Sequence, residues 1–453
     1  MFASMPPWRL FFTVALPGMI SMFAMSVYSI IEGIFIGQRL GESAFAAVNI
    51  AFPIIMINFS LSDLIGVGSS VPISIALGRK DEKSAHNFFT CSVILIFITS
   101  LVMGSVMFFA AEPLARLMGA DDSIAGTAAR YIRTYAVCSP ISTIFFAMDN
   151  YLRISGYVRL SMGINLFCNA ATLILLTVFL LVLEMDVVGS ALASCIAMCL
   201  CSLLAMIPFL RGKALLRFVR PRLTPAMLGQ IAACGSPAFF SNIAGRLTSI
   251  LMNISLMTLG VQVLGVGGGT TAVAAYSVLM YAGEMCQPLL YGMSDSLAPA
   301  LGFNWGARNF FRVKKIASCG FLGSAAVSLV SACLMFFLAR PITALFVDAG
   351  DTALLSLAEE ALRLFSLTYL LRWFAIAAQS FLSAIEKPVH ATILSASIAL
   401  VFPVLLLGAL WNWGLTGIWL NMAGTSALAL ILGIALILHA FARKNVSPPD
   451  PDL

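Results

Sequence analysis

About twelve apolar stretches, each long enough to cross a bilayer, follow one another almost from end to end of this 453-residue chain. A bilayer core of about 30 Å needs about 20 apolar residues in a helix. Backbone in lipid must also satisfy its own hydrogen bonds, which makes helices the default way across. Apolar residues make up 60% of the chain and charged residues 10%, so little is left for a soluble domain. The expected spans are 10–37, 45–77, 87–111, 126–152, 160–183, 187–210, 230–260, 271–301, 316–338, 358–384, 390–411 and 414–441. Pro17, Pro53, Pro140, Pro237, Pro288 and Pro403 fall inside them, as bilayer helices tolerate. The N-terminus runs into the first apolar segment with no small-residue cleavage pattern, so that segment reads as a retained span.

The net charge of +6 invites a nucleic-acid reading, but the basic residues follow the loops instead. One side receives Arg9, Arg79, Lys80, Lys83, Arg153, Arg159, the five basic residues of 211–222, Arg308, Arg312, Lys314, Lys315, Lys387, Arg443 and Lys444. The other side's loops hold Arg39, Arg116 and Arg340, with Arg130, Arg133 and Arg363 near the ends of spans four and ten. Short-loop Lys and Arg stay cytoplasmic. Both termini are therefore expected inside the cell, the span count even, and the protein multi-pass in the inner (cytoplasmic) membrane. The lipid bilayer is the expected partner, nucleic acid is not, and nothing calls for more than a monomer.

Enzyme chemistry finds no foothold. No Gly-Lys-Ser/Thr phosphate loop is present, and no Ser–His–Asp arrangement is apparent. Ten cysteines lack paired spacing, and Cys195, Cys199 and Cys201 have no histidine beside them, so no metal site is expected. Gly265 to Gly269 reads as a loop between spans seven and eight, not as a phosphate cradle.

The chain divides six spans and six. The expected parts are an N-terminal bundle (1–210), a cytoplasmic linker (211–229), a C-terminal bundle (230–441) and a tail (442–453), the latter acidic and disordered after Pro448 and Pro449. The halves echo each other: Gly78 and Gly306 are 228 residues apart, and so are Gly189 and Gly417. Six spans per half orient both halves alike, as in transporters that hold substrate between two repeats near mid-membrane.

The residues also resemble a family. Leu16-Pro17 and Ile31-Glu32-Gly33-Ile34-Phe35-Ile36-Gly37 lie in span one, and Leu77-Gly78 follows span two. Asp149-Asn150-Tyr151-Leu152-Arg153 ends span four, Gly302-Phe303-Asn304-Trp305-Gly306-Ala307-Arg308-Asn309 follows span eight, and Gly414-Leu415-Thr416-Gly417-Ile418-Trp419 precedes the last. In this order the set resembles the multidrug and toxic compound extrusion (MATE) family. The resemblance implies an all-α polytopic membrane protein, with twelve transmembrane helices in two pseudo-symmetric six-helix bundles around a central cavity.

An ionisable residue inside a span costs about 2.5–3.5 kcal/mol at the centre on insertion scales, so each one is a candidate site. Glu32 comes first: a carboxyl withdrawn from water can carry a proton, and the resemblance puts the family's coupling carboxylate, usually Asp, at this place. The resemblance also implies cation-coupling partners in spans five and six. These are Asn165, Asn169 (where the family has Asp) and Ser194 (where it has Thr). The missing second acid favours H+ over Na+ as the coupling ion, and no cofactor is expected. The asparagines could instead bond neighbouring helices.

Further polar residues are candidates for the substrate cavity. Asp63 lies in span two, where it lines the cavity or caps a break near Gly66 and Gly68. Asp149 is a gate or an ion pair with Arg153. Glu284 and Asp295, eleven residues apart on span eight, share roughly one helix face. Arg246 and Arg372 either neutralise these acids or offer donors to an anionic group. Met25 and Met252 suit a promiscuous apolar wall. The expected function is export of small organic, cationic or amphipathic compounds by antiport, with rocking of the two halves. The alternative is a flippase for a lipid-linked or anionic amphipathic substrate, which cavity-facing Arg246 and Arg372 would favour.

Overall fold

The computed structural model describes residues 1–347 and 350–442, and among these all regular structure is helical. The tail residues Arg443 and Lys444, and the Pro448-Pro449 segment, lie outside the described residues.

Among the described residues, nine helices are long and apolar enough to cross a membrane: α1 (Pro7–Gly41), α2 (Ser43–Gly78), α3 (Glu82–Phe109), α7 (Val158–Val182), α8 (Val187–Leu210), α9 (Pro225–Leu264), α11 (Phe310–Phe337), α15 (Pro388–Ala409) and α16 (Trp411–Phe441). The pair α13 (Thr352–Ser366) and α14 (Thr368–Ala384), bent by 45°, passes the same test as one broken span. The two other expected spans are helical over their expected lengths but carry more polar side chains. One is α5 (Ala125–Ser142) with α6 (Ile144–Ile154), holding Arg130, Arg133, Asp149 and Arg153. The other is α10 (Gly268–Gly306), holding Glu284, Asp295 and Asn304. Short helices α4 (Ala111–Leu117) and α12 (Ala339–Thr343) sit in connections.

Local chemistry sets several helix ends. Gly41 (φ 81°, ψ 177°) separates α1 from α2 in a conformation that a residue with a Cβ reaches only under strain. The Asp81 carboxylate accepts the Ser84 amide at 3.1 Å and so caps α3. Those bonds hold the Asp81 carboxyl below the usual carboxylate range. Asn309 does the same before α11, accepting from the Arg312 amide at 3.1 Å. The two caps lie 228 residues apart, and Lys80 and Arg308, one residue before each, both have positive φ (62° and 55°). The sequence echo is therefore an echo of backbone.

The chain separates into two compact units. One comprises Met1–Phe239 and Tyr291–Ile316, and the other Phe240–Leu290 and Ala317–Leu453. The first thus takes in the start of α9 and the second half of α10, a finer division than a cut at the linker. Glycine accounts for it. Within this unit a Cβ on Gly78 would overlap the Phe303 carbonyl oxygen, and one on Gly306 would overlap that of Ile75. Gly68 and Gly235 meet Ile231 and Leu64 in the same way, and Gly18 lies against Gly292 and Ser296. Small residues let helix backbones close on each other where lipid offers no hydrophobic drive for association. Aromatic packing fills the remainder: Phe89 lies 5.2 Å from Tyr151 and 5.0 Å from Phe209, centroid to centroid.

In the second unit, Tyr369 is fully buried. Its hydroxyl donates to the Gly283 carbonyl at 3.3 Å, and its own carbonyl accepts from Ser328 Oγ at 2.5 Å. Phe321 packs on Phe374 at 5.3 Å.

Candidate functional site

Glu32 is half-buried on α1. Its Oε1 accepts a hydrogen bond from Ser194 Oγ of α8 at 3.1 Å, and Ser194 Oγ lies 3.3 Å from the Tyr28 hydroxyl. Tyr28 stands one helical turn before Glu32, so the two share a face. Around this group pack Tyr131 and Tyr135 of α5, both buried, with ring centroids 5.3 Å apart. Among the described residues no cation pairs with Glu32. The carboxyl thus lies among hydroxyl groups in an apolar span, an arrangement suited to taking up and releasing a proton.

A second polar cluster is built around Asp149 on α6. Arg153, one turn on and 3% exposed, places Nη2 2.5 Å from Asp149 Oδ2. Its Nε donates to Ser161 Oγ and its Nη1 to Ser296 Oγ, each at 3.2 Å. Ser161 in turn donates to Asp149 Oδ1. Asn165 Nδ2 donates to the same carboxylate oxygen at 2.7 Å and to the Ser161 carbonyl at 2.9 Å. Part of the expected coupling set comes together: Glu32 meets Ser194, while the Asn165 side chain reaches Asp149 of α6. Asn169 is half-buried one turn further along α7 and makes no side-chain hydrogen bond among the described residues.

Asp295 lies within the electrostatic reach of Arg153, and Asp63 within that of Asp295. Asp63, Asp149, Asp295 and Arg153 therefore form one charged group in the first unit, with three acids against one base. Such a group can hold a cation or an ammonium. Within this unit the basic neighbour of Asp295 is Arg153.

In the second unit, Glu284 is exposed and Arg246 acts on it electrostatically. Arg372 is half-buried near Tyr276, and its Nε lacks a hydrogen-bond partner among the described residues. Met25 is 41% exposed, in keeping with a wall residue. Met252, at 1%, is packed inside the protein. Its place in an apolar run could not tell the packed face from the open one.

Sequence reasoning missed Tyr28, Ser161 and Ser296. The first was within reach, because an i, i+4 spacing to Glu32 marks a shared face. The serines become visible only once α6, α7 and α10 are brought together.

The MatE family model matches the chain twice, over residues 17–179 and 246–407, in step with the repeated backbone. The chain is 26% identical over 430 residues to the multidrug export protein MepA of Staphylococcus saprophyticus, covering 93% of this chain and 92% of that protein. The Staphylococcus haemolyticus MepA is 25% identical over 436 residues, covering 95% and 93%. Among solved structures, an outward-facing multidrug resistance MATE family transporter of the MOP superfamily superposes with a TM-score of 0.87, at 23% identity and 97% coverage of both chains. A Vibrio cholerae MATE transporter, VcmN, gives 0.89 at 18% identity, over 97% of this chain and 98% of that one.

Proposed function

Because the chain belongs to the MATE family of membrane transporters, proteins that are not enzymes, we propose that it exports small organic compounds, cationic or amphipathic, in exchange for protons. The observation that carries this reading is Glu32, a carboxyl in an apolar span whose partner is a serine hydroxyl, with a tyrosine beyond it. A hard cation such as Na+ seeks several oxygen ligands. Glu32 has one carboxylate and neutral hydroxyls near it, and Asn165 is engaged elsewhere, so H+ is the better-supported ion. No cofactor is needed.

Proton uptake at Glu32 changes which conformation of the N-terminal half is favoured. Antiport requires only that proton and substrate bind the access states with different affinity. The two six-span halves, 1–210 and 230–441, are the moving parts of a rocker switch, joined by the 211–229 linker. Asp63, Asp149, Glu284, Asp295, Arg246, Arg372 and Met25 are proposed to line the substrate path. The acids of the first unit suit a cationic group. The basic loops and the bacterial relatives support a place in the cytoplasmic membrane with both termini inside.

The test is uptake of a fluorescent organic cation into proteoliposomes under an imposed proton gradient or an imposed sodium gradient. Wild type and Glu32→Gln are compared. Proton-driven uptake that disappears in Glu32→Gln is the expected result. Sodium-driven uptake, or proton-driven uptake that survives the substitution, would overturn the assignment of ion or of site.

The unfilled Nε of Arg372 favours a second reading, movement of an anionic amphipathic or lipid-linked substrate, since a guanidinium pairs well with phosphate or carboxylate. Translocation of a fluorescent anionic lipid that is lost in Arg372→Gln would move the assignment there.

A further inference from the structure

The linker after α8 is tied back onto the first unit. The Tyr157 hydroxyl donates to the Lys213 carbonyl at 3.0 Å. The Val219 amide donates to Thr90 Oγ1 at 3.0 Å. The Asn87 side chain accepts from the Arg222 amide at 2.8 Å and donates to its carbonyl at 3.0 Å. Ala214 (4% exposed) and Leu216 (0%) point into the helical core, while Leu215, Arg217, Phe218 and Val219 face outward. Residues 211–222 hold five basic side chains and no acid. A segment that alternates basic and exposed apolar residues beside membrane spans suits the headgroup layer of an anionic leaflet.

Where this linker leaves α8 it closes over a cavity of about 420 Å³. Its walls include Lys213, Arg217, Glu82, His86 and Ser155. Ser155 is 9% exposed, and among the described residues neither its hydroxyl nor Nδ1 of His86 has a hydrogen-bond partner. A buried polar group left unmet costs about 1–3 kcal/mol, and here two such atoms are buried in residues that line one polar cavity beside two cations. Neither belongs to the transport machinery proposed above. The cations and the two unmet groups suit the oxygens of a phosphate, to which Ser155 Oγ–H and the Nδ1–H tautomer of His86 can donate. Glu82 would repel a bare phosphate but accepts from a hydroxyl or ammonium on its far side.

We propose that the cavity beneath the linker binds a phosphate ester whose other end bears a hydroxyl or ammonium donor. The phosphate lies against Lys213, Arg217, Ser155 and His86, and the donor against Glu82. Phospholipid headgroups and free phosphate esters share this chemistry, and exposed Leu215 at the rim offers apolar surface that an acyl chain can cover.

Binding to the purified full chain is measured by native mass spectrometry in two arms, with phosphatidylglycerol in detergent and with soluble glycerol phosphate. Wild type is compared with Lys213→Gln/Arg217→Gln and with Ser155→Ala. The double substitution leaves the linker's backbone bonds in place and is expected to weaken binding at least tenfold; Ser155→Ala is expected to weaken it a few-fold. Both variants should keep the wild-type thermal transition. Loss in the lipid arm alone identifies a headgroup site, and loss in both arms a general phosphate-ester site. Saturable binding in neither arm, or binding by both variants within twofold of wild type, would overturn the proposal. Transport is not read in this experiment, so its result is independent of the antiport reading.

Discussion

Two carboxylates of the first unit are solvated in opposite ways. Asp149 has an arginine at 2.5 Å and accepts further bonds from Ser161 and Asn165. Glu32 accepts a serine hydroxyl, with a tyrosine beyond it and no paired cation among the described residues. The Arg153 guanidinium, Ser161 and Asn165 tie the Asp149 carboxyl into a network that links α6 to α7 and α10. Hydroxyls can serve either form, because each can donate or accept. The comparison separates two in-span carboxyls by the partner each has, a guanidinium for Asp149 and a hydroxyl for Glu32.

The sharpest way to break this contrast is to remove the carboxylate of one site and the cation of the other. Glu32→Gln is expected to abolish proton-driven export while leaving the thermal transition close to that of wild type. If export survives in a folded variant, hydroxyl solvation does not mark the carrier. Arg153→Met should instead act on stability. It strands Asp149 without its cation, and breaking a buried pair costs about 3–5 kcal/mol, readable as a lowered midpoint of thermal or chemical unfolding in detergent. A shift below about 1 kcal/mol would mean that the Asp149 cluster is not the joint described here. Ser194→Ala removes one neutral bond worth about 1 kcal/mol, so proton-driven transport should fall by less than about tenfold and persist.

The smallest effect belongs to an exposed acid that serves as the baseline. Asp81→Ala removes the cap of α3 at a cost of about 1 kcal/mol. Because the folded-state carboxyl is held below its usual range, this contribution is present at neutral pH and is lost as pH falls through the folded value. The equivalent cap in the repeat is Asn309, which has no charge to lose. Asn309→Ala should therefore show no such acid dependence in the same unfolding measurement.

Much of the fold was legible because lipid punishes unpaired backbone, so apolar runs and loop charges encode helices directly. The helices α5–α6 and α10 were expected as spans through their place in the alternation, but polar side chains keep them from passing the hydropathy test that the other spans meet. Glu32 and Ser194 were legible as a pair through a family resemblance. Asn165 was not, since its hydrogen bond is decided by whether Glu32 or Asp149 lies within reach once α1, α6 and α7 are packed. The Arg153–Ser296 bond joins residues 143 positions apart and leaves no local trace in the chain. Met252 marks the same limit from the apolar side: in a helix that is apolar all round, periodicity does not say which face is covered.

The glycine contacts at the ends of α2 and α10 have a mechanical consequence. Gly78 rests on the Phe303 backbone and Gly306 on that of Ile75, with no side chain interposed on either glycine. Dispersion between such surfaces is short-ranged, and a gap of 0.5–1 Å forfeits about a quarter to a half of it. The joint therefore behaves as a snap fastener and not as a spring. It holds at full strength when seated and lets go over a small displacement, with no rotamers to rearrange before it can close again.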